Sequence, residues 1–138
     1  MNRVFDSKLI LTISFFEALT KARLHDCFED ANGTMFFVVE PFELGRALGP
    51  RAANVEKLQR KLNKKIKVVE FNPELIGFVT NLCYPNKVKQ IEEKEGTVII
   101  TPDDTKSRGF LIGRAASNLR NMETIVKRYF TLKEIKVI

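Results

Sequence analysis

Apolar and polar positions along this chain follow an order that runs twice. Leu9, Ile10, Ile13, Phe16 and Leu19 make residues 7–21 apolar on most sides, which predicts a buried helix with Asp6 as its cap. Leu24 to Glu29 predicts a strand, Asn32-Gly33 a hairpin turn, and Met35 to Glu40 the returning strand. Pro41 ends that strand and Phe42 to Leu48 predicts a short helix. Residues 53–64 predict a longer helix with Val55, Leu58 and Leu62 on one face and Lys57, Arg60, Lys61 and Lys64 on the other. A strand over 65–70 closes the round.

The second round begins at Pro73, well placed in the first turn of a helix reaching Cys83. Pro85-Asn86 stops it, Lys87 to Glu92 predicts a strand, Glu95-Gly96 a turn, and Thr97 to Thr101 the return. Asp103 or Asp104 caps a short helix ending near Ile112. From Ser117 a further helix aligns Leu119, Met122, Ile125, Val126, Tyr129 and Phe130, and Ile135 to Ile138 makes the last strand. Each half therefore reads α-β-β-α-turn-α-β, an α+β class with a three-stranded sheet packed on helices. The boundary falls at Phe71-Asn72-Pro73, giving domains 1–71 and 72–138.

The sharpest evidence for duplication is a literal one. Leu48-Gly49-Pro50-Arg51-Ala52-Ala53-Asn54-Val55 returns 64 residues later as Ile112-Gly113-Arg114-Ala115-Ala116-Ser117-Asn118-Leu119. Charge is divided the same way. Residues 1–72 carry 12 basic and 9 acidic side chains, and residues 73–138 carry 11 and 8, so half of the net +6 falls in each. A basic surface fits nucleic acid or an anionic membrane without choosing between them.

Composition narrows the remaining chemistry. With 44% apolar and 29% charged residues the chain has a globular composition, and its longest apolar run, Leu9 to Phe16, falls far short of a span. A cytoplasmic location without membrane contact is expected. Cys27 and Cys83 show no CxxC spacing and His25 is the single histidine, so neither a metal site nor redox catalysis is expected.

A turn opening a helix presents N–H donors and the positive end of the helix dipole to an anion. Gly49 and Gly113 allow close approach, and Arg51 and Arg114 place guanidinium groups in mid-turn. Asn54 and Asn118 stand two residues past each turn, where they can cap a helix or bond a base. Lys57 begins an electrostatic track along the following helix. Among aromatics, Phe36, Phe37, Phe71 and Phe110 are candidate base-stacking groups, with core packing the ordinary role for such positions.

A glycine-bounded four-residue turn between two helices, beside a three-stranded sheet, resembles the K-homology (KH) domain. Two strands before each turn and one after it match the type II order. Two such domains with little else resemble the archaeal NusA-type transcription factors, as do Phe16-Glu17-Ala18-Leu19-Thr20, Asp26-Cys27 and Lys127-Arg128-Tyr129-Phe130. The resemblance implies two tandem type II KH domains binding single-stranded RNA, the nascent transcript, in elongation, termination or antitermination with RNA polymerase. It implies neither catalysis nor cofactor. The implied RNA-binding residues are Gly49, Pro50, Arg51, Ala52, Asn54, Lys57, Gly113, Arg114, Ala115, Ala116 and Asn118.

The pattern is imperfect. Ala52 and Ala116 stand where the motif has its second glycine, and Pro50 removes one N–H, so a weaker grip is expected, most of all in the first copy. Vestigial turns on a protein-interaction module are the rival reading. A helix-turn-helix protein for duplex DNA is a further one, opposed by the paired strands before each turn.

Overall fold

The computed structural model describes residues 7–138, so Asp6 and its expected cap lie outside the described residues. The chain divides between Asn72 and Pro73 into two compact units. In the first, helix α1 (Ser7–Thr20) leads to strands β1 (Leu24–Glu29) and β2 (Met35–Val39). Helix α2 (Leu44–Leu48), a short 3-10 turn (Pro50–Ala52), helix α3 (Ala53–Leu62) and strand β3 (Ile66–Glu70) complete the unit. In the second, α4 (Leu75–Cys83), β4 (Val88–Lys94), β5 (Thr97–Pro102), α5 (Thr105–Ile112), a 3-10 turn (Arg114–Ala116), α6 (Ser117–Val126) and β6 (Glu134–Val137) follow in the same order.

Each unit has its own three-stranded sheet with the second strand in the centre, β1-β2-β3 and β4-β5-β6. The first pair is antiparallel and the second parallel in both sheets, with Phe37 opposite Cys27 and Val68 and Ile100 opposite Ile91 and Val137. Both antiparallel ladders carry an irregularity at the same place, between Leu24 and Asp26 and between Val88 and Gln90. The duplication thus extends to a ladder defect that the residue types do not announce.

The hairpins reach this shared pairing by different turns. Glu95 and Gly96 both have positive φ, 50° and 86°, the two-residue type that matches strand twist. The Asn32-Gly33 link differs from the expected hairpin turn in that only Gly33 (φ 80°) is left-handed. Asp30 organises it: its carboxylate accepts from Asn32 N–H at 2.9 Å and Thr34 N–H at 2.8 Å.

Phe16, Cys27, Met35, Phe37, Val39, Ala47 and Leu58 fill the first unit, with Phe16 and Phe37 stacked at 4.4 Å. In the second, Phe78 meets Tyr129 edge-on at 5.3 Å, and Val98, Ile100, Leu119, Ile125, Val126 and Ile135 are buried. Glu123, also buried, accepts from Ile135 N–H at 2.7 Å and pairs with Arg120 at 2.8 Å, tying α6 to β6. That guanidinium is held above its ordinary pKa by its hydrogen bond to Glu123.

Three expectations need correction. Helix α1 is buried on one stripe only, through Thr12, Phe16 and Thr20, while Ile10 and Leu11 are exposed, because α2, α3 and β1 line just one of its sides. Pro73 precedes α4 rather than opening it, with Glu74 at the N-cap. Tyr129 and Phe130 lie past the end of α6 and fold back through N–H bonds to the Val126 carbonyl, so they pack from a turn. Both cysteines are buried thiols outside any disulfide, one in each unit.

Candidate nucleic-acid interface

Helices α2 and α5 each end on a glycine whose conformation other residues avoid. Gly49 has φ 72° and ψ 179°, and Gly113 has φ 73° and ψ 177°, in a region open essentially to glycine alone. Two left-handed residues follow in each turn. Arg51 (φ 54°) and Ala52 (φ 56°) correspond to Ala115 (φ 52°) and Ala116 (φ 62°). Holding an L-residue there costs about 1 kcal/mol or more, so each turn stores strain in two adjacent non-glycine positions. The repeat in sequence is a repeat in backbone dihedrals.

A shared tether holds that path. Asn54 on α3 donates from Nδ2 back to the Ala47 carbonyl at 3.2 Å and the Arg46 carbonyl at 3.4 Å. Asn118 on α6 donates in the same way to the Phe110 carbonyl at 2.8 Å. Each amide thereby satisfies a carbonyl near the end of the preceding helix, which has no partner within its own helix. The glycine leaves room for this. A Cβ on Gly49 would lie 2.8 Å from Asn54 Nδ2, and one on Gly113 2.7 Å from Asn118 Cγ. Glycine is therefore required by the turn's own packing, before any ligand is considered.

The charged side chains at the turns remain available. Arg51 and Arg114 are exposed, with no ion pair or hydrogen bond among the described residues, and Lys57 is exposed one helical turn further along. Pro50, Ala52 and Ala115 are exposed and Ala116 half-buried, so both turns face solvent. The arginines occupy different turn positions, third in the first copy and second in the other. Proline at position two removes an N–H from the first turn that Arg114 keeps in the second.

The rest of the basic face is partly committed elsewhere. Lys64 pairs with Glu29 and Lys61 lies 5.8 Å over the Phe15 ring, while Arg60, Lys61 and Lys65 stay exposed to solvent. Phe36 and Phe37 are core residues, and Phe71 stacks on His25 at 3.8 Å. Of the four aromatic candidates, Phe110 is the exposed one, three residues before Gly113. Asp104 caps α5 by accepting from Ser107 N–H at 2.7 Å, and that bond together with the Ser107 hydroxyl holds its carboxyl below the usual carboxylate range.

No group of three or more His, Cys, Asp or Glu residues able to hold a metal occurs among the described residues. Nor, among those residues, is any helix long and apolar enough to cross a membrane.

The fold and turns define a class: two α+β units, each a three-stranded sheet on helices with a glycine-opened turn between two of them, consistent with a KH-type fold. No family model matches the chain. It is 26% identical over 141 residues to the probable transcription termination protein NusA of Thermoplasma acidophilum, covering 99% of this chain and 97% of that protein. It is 28% identical over 127 residues to the protein of that name from Halobacterium salinarum, covering 91% of each. Among solved structures, that of APE1850 aligns with a TM-score of 0.72 and 26% identity over 94% of this chain and 96% of that one. The likeness to archaeal NusA-type proteins thus runs along nearly the whole chain.

Proposed function

We propose that the two units are tandem type II KH domains, 1–71 and 72–138, that bind single-stranded RNA at the two turns. In this reading the protein acts in the cytoplasm on the nascent transcript as a termination or antitermination factor together with RNA polymerase. The relatives' names supply the transcriptional setting. The observation that carries RNA contact is the matched pair of strained turns, each tethered by an asparagine and each offering an unpaired arginine to solvent.

The chemistry is electrostatic and steric. A phosphate passes over Gly49 or Gly113, where no side chain obstructs it. Arg51 or Arg114 pairs with phosphate, and Lys57 extends the first contact. Pro50, Ala52, Ala115 and Ala116 form the surface the sugar-phosphate chain runs across, and their methyl and ring atoms keep it further out than a second glycine would. Asn54 and Asn118 act by shaping the turn, since their amides are spent on backbone carbonyls. The role is binding, with neither catalysis nor a cofactor.

The test is a titration of labelled single-stranded RNA with wild type and a variant carrying Pro50→Asp, Arg51→Asp, Arg114→Asp and Ala115→Asp, at two salt concentrations. Circular dichroism establishes that the variant folds. The expected result is salt-dependent binding lost in the folded variant, with each phosphate contact contributing about 0.7 to the logarithmic salt slope. Equal binding by both proteins would sink the RNA-clamp reading and leave the protein-interaction module in its place.

A further inference from the structure

Between β2 and α2 the chain makes a β-turn, Glu40-Pro41-Phe42-Glu43, closed by Glu43 N–H donating to the Glu40 carbonyl at 3.1 Å. Proline stands second, and the third residue, Phe42, has φ of 70°. That is the type II pattern, whose third position ordinarily takes glycine or asparagine. For a bulky L-residue this is an outlier conformation. The ring gains nothing within its unit in return, since Phe42 is 96% exposed.

The turn is fixed in place on both sides. The Glu43 side chain, 12% exposed, accepts from Arg23 N–H at 3.2 Å and lies 3.8 Å from Arg46 Nη1. Glu40 donates its N–H to the Arg23 carbonyl and meets His25 Nδ1 at 3.1 Å. Nor does the fold demand an aromatic here. In the second unit Asp103-Asp104 makes the same link, and Asp104 serves as a helix cap. A strained and solvated phenylalanine on a braced turn has no structural role that the structure displays.

We infer that Phe42 is an anchor that inserts into an apolar pocket on a protein partner, RNA polymerase in the reading above. Two observations select a protein over an RNA base. The ring is open on all sides, as a knob for a pocket must be, whereas a stacking platform needs one open face. Its surroundings carry both signs, with Arg23 and Arg46 side chains 81% and 61% exposed beside Glu40 at 34%. A mixed polar rim around an aromatic centre is the anatomy of a protein interface, whereas a phosphate track carries one sign. The braced turn also presents the ring already ordered, which removes a cost of association.

The inference rests on the proposed transcriptional role for the partner's identity, and it is independent of the RNA clamp. The experiment uses RNA polymerase purified from the source organism, immobilised, with full-length wild type, Phe42→Gly and Phe42→Ala titrated against it. Each variant is also melted and titrated with single-stranded RNA. Phe42→Gly relieves the strain, so it is expected to melt above wild type, to bind RNA within 2-fold of wild type, and to lose about 10-fold or more in polymerase affinity. Phe42→Ala is expected to show the same loss without the rise in melting temperature.

Polymerase binding by Phe42→Gly within about 2-fold of wild type would overturn the inference. So would a wild type with no saturable binding to polymerase. Loss of RNA affinity with polymerase binding intact would also overturn it, making the ring a base-stacking group. Failure of the RNA clamp is read separately, from the turn variants.

Discussion

Gly49-Pro50-Arg51-Ala52 and Gly113-Arg114-Ala115-Ala116 follow one backbone path and differ in what they offer an anion. The first turn has lost an N–H to proline and carries its guanidinium one residue later. The second keeps the N–H and has its arginine directly after the glycine. Their tethers differ as well: Asn118 makes one bond at 2.8 Å, where Asn54 divides its amide between two carbonyls at 3.2 and 3.4 Å. Duplication has preserved the geometry and let the chemistry diverge. The geometry is therefore the constrained part, and the side chains at its second and third positions are the variable part.

The strongest way to break that comparison is to fill the glycines. Gly113→Ala forces a methyl group into Asn118 and an alanine into a region it does not occupy, and about 3 kcal/mol or more of destabilisation is expected by urea unfolding. Gly49→Ala should cost somewhat less, because the added atom meets only the end of the Asn54 amide. Equal tolerance of both substitutions would mean that the asparagines move aside freely. Next in size, Asn118→Ala should cost about 1–2 kcal/mol by leaving a helix-end carbonyl without its partner, and Asn54→Ala less. The two denaturation midpoints decide the order.

Relieving the strain tests the opposite sign. Ala52→Gly and Ala116→Gly should each stabilise by about 0.5–1 kcal/mol, left-handed relief being offset in part by a more flexible unfolded chain. Under the proposed function they should also tighten RNA binding. The smallest effect separates the helices before the turns. Asp104 has a depressed folded pKa, so its stabilisation is present above the unfolded carboxylate pKa and is lost as pH falls through the folded value. Glu43, at the corresponding cap of α2, makes no side-chain capping bond. Asp104→Asn should therefore flatten the acid limb of stability relative to wild type. Urea melts between pH 2 and pH 6 compare the two.

Much of this was legible in the sequence because the repeat supplies each element twice. A weak signal in one half, such as the short helix before Gly49, gains support from its partner before Gly113. The glycines, the Glu95-Gly96 turn and the capping aspartate rest on local chemistry and were readable for that reason. What was hidden depends on atoms brought together by helix crossing. Asn54 and Asn118 offered the choice of capping or base contact, and nothing in their spacing reveals an amide reaching back to the previous helix. The Lys64–Glu29 pair joins residues far apart in sequence, so the spacing of the lysines gave no sign of it. Phe42, expected to begin the short helix, lies instead in the turn before it, and its exposure depends on which way that turn faces.

The central claim is that two turns of one shape grip RNA unequally. The direct measurement is the affinity of single-stranded RNA for two half-disabled proteins, one carrying Pro50→Asp and Arg51→Asp, the other Arg114→Asp and Ala115→Asp. With both variants folded, the account predicts that disabling the second turn weakens binding more, because that turn retains the N–H that Pro50 removes from the first. A larger loss from the first turn, or no loss from either, would contradict it.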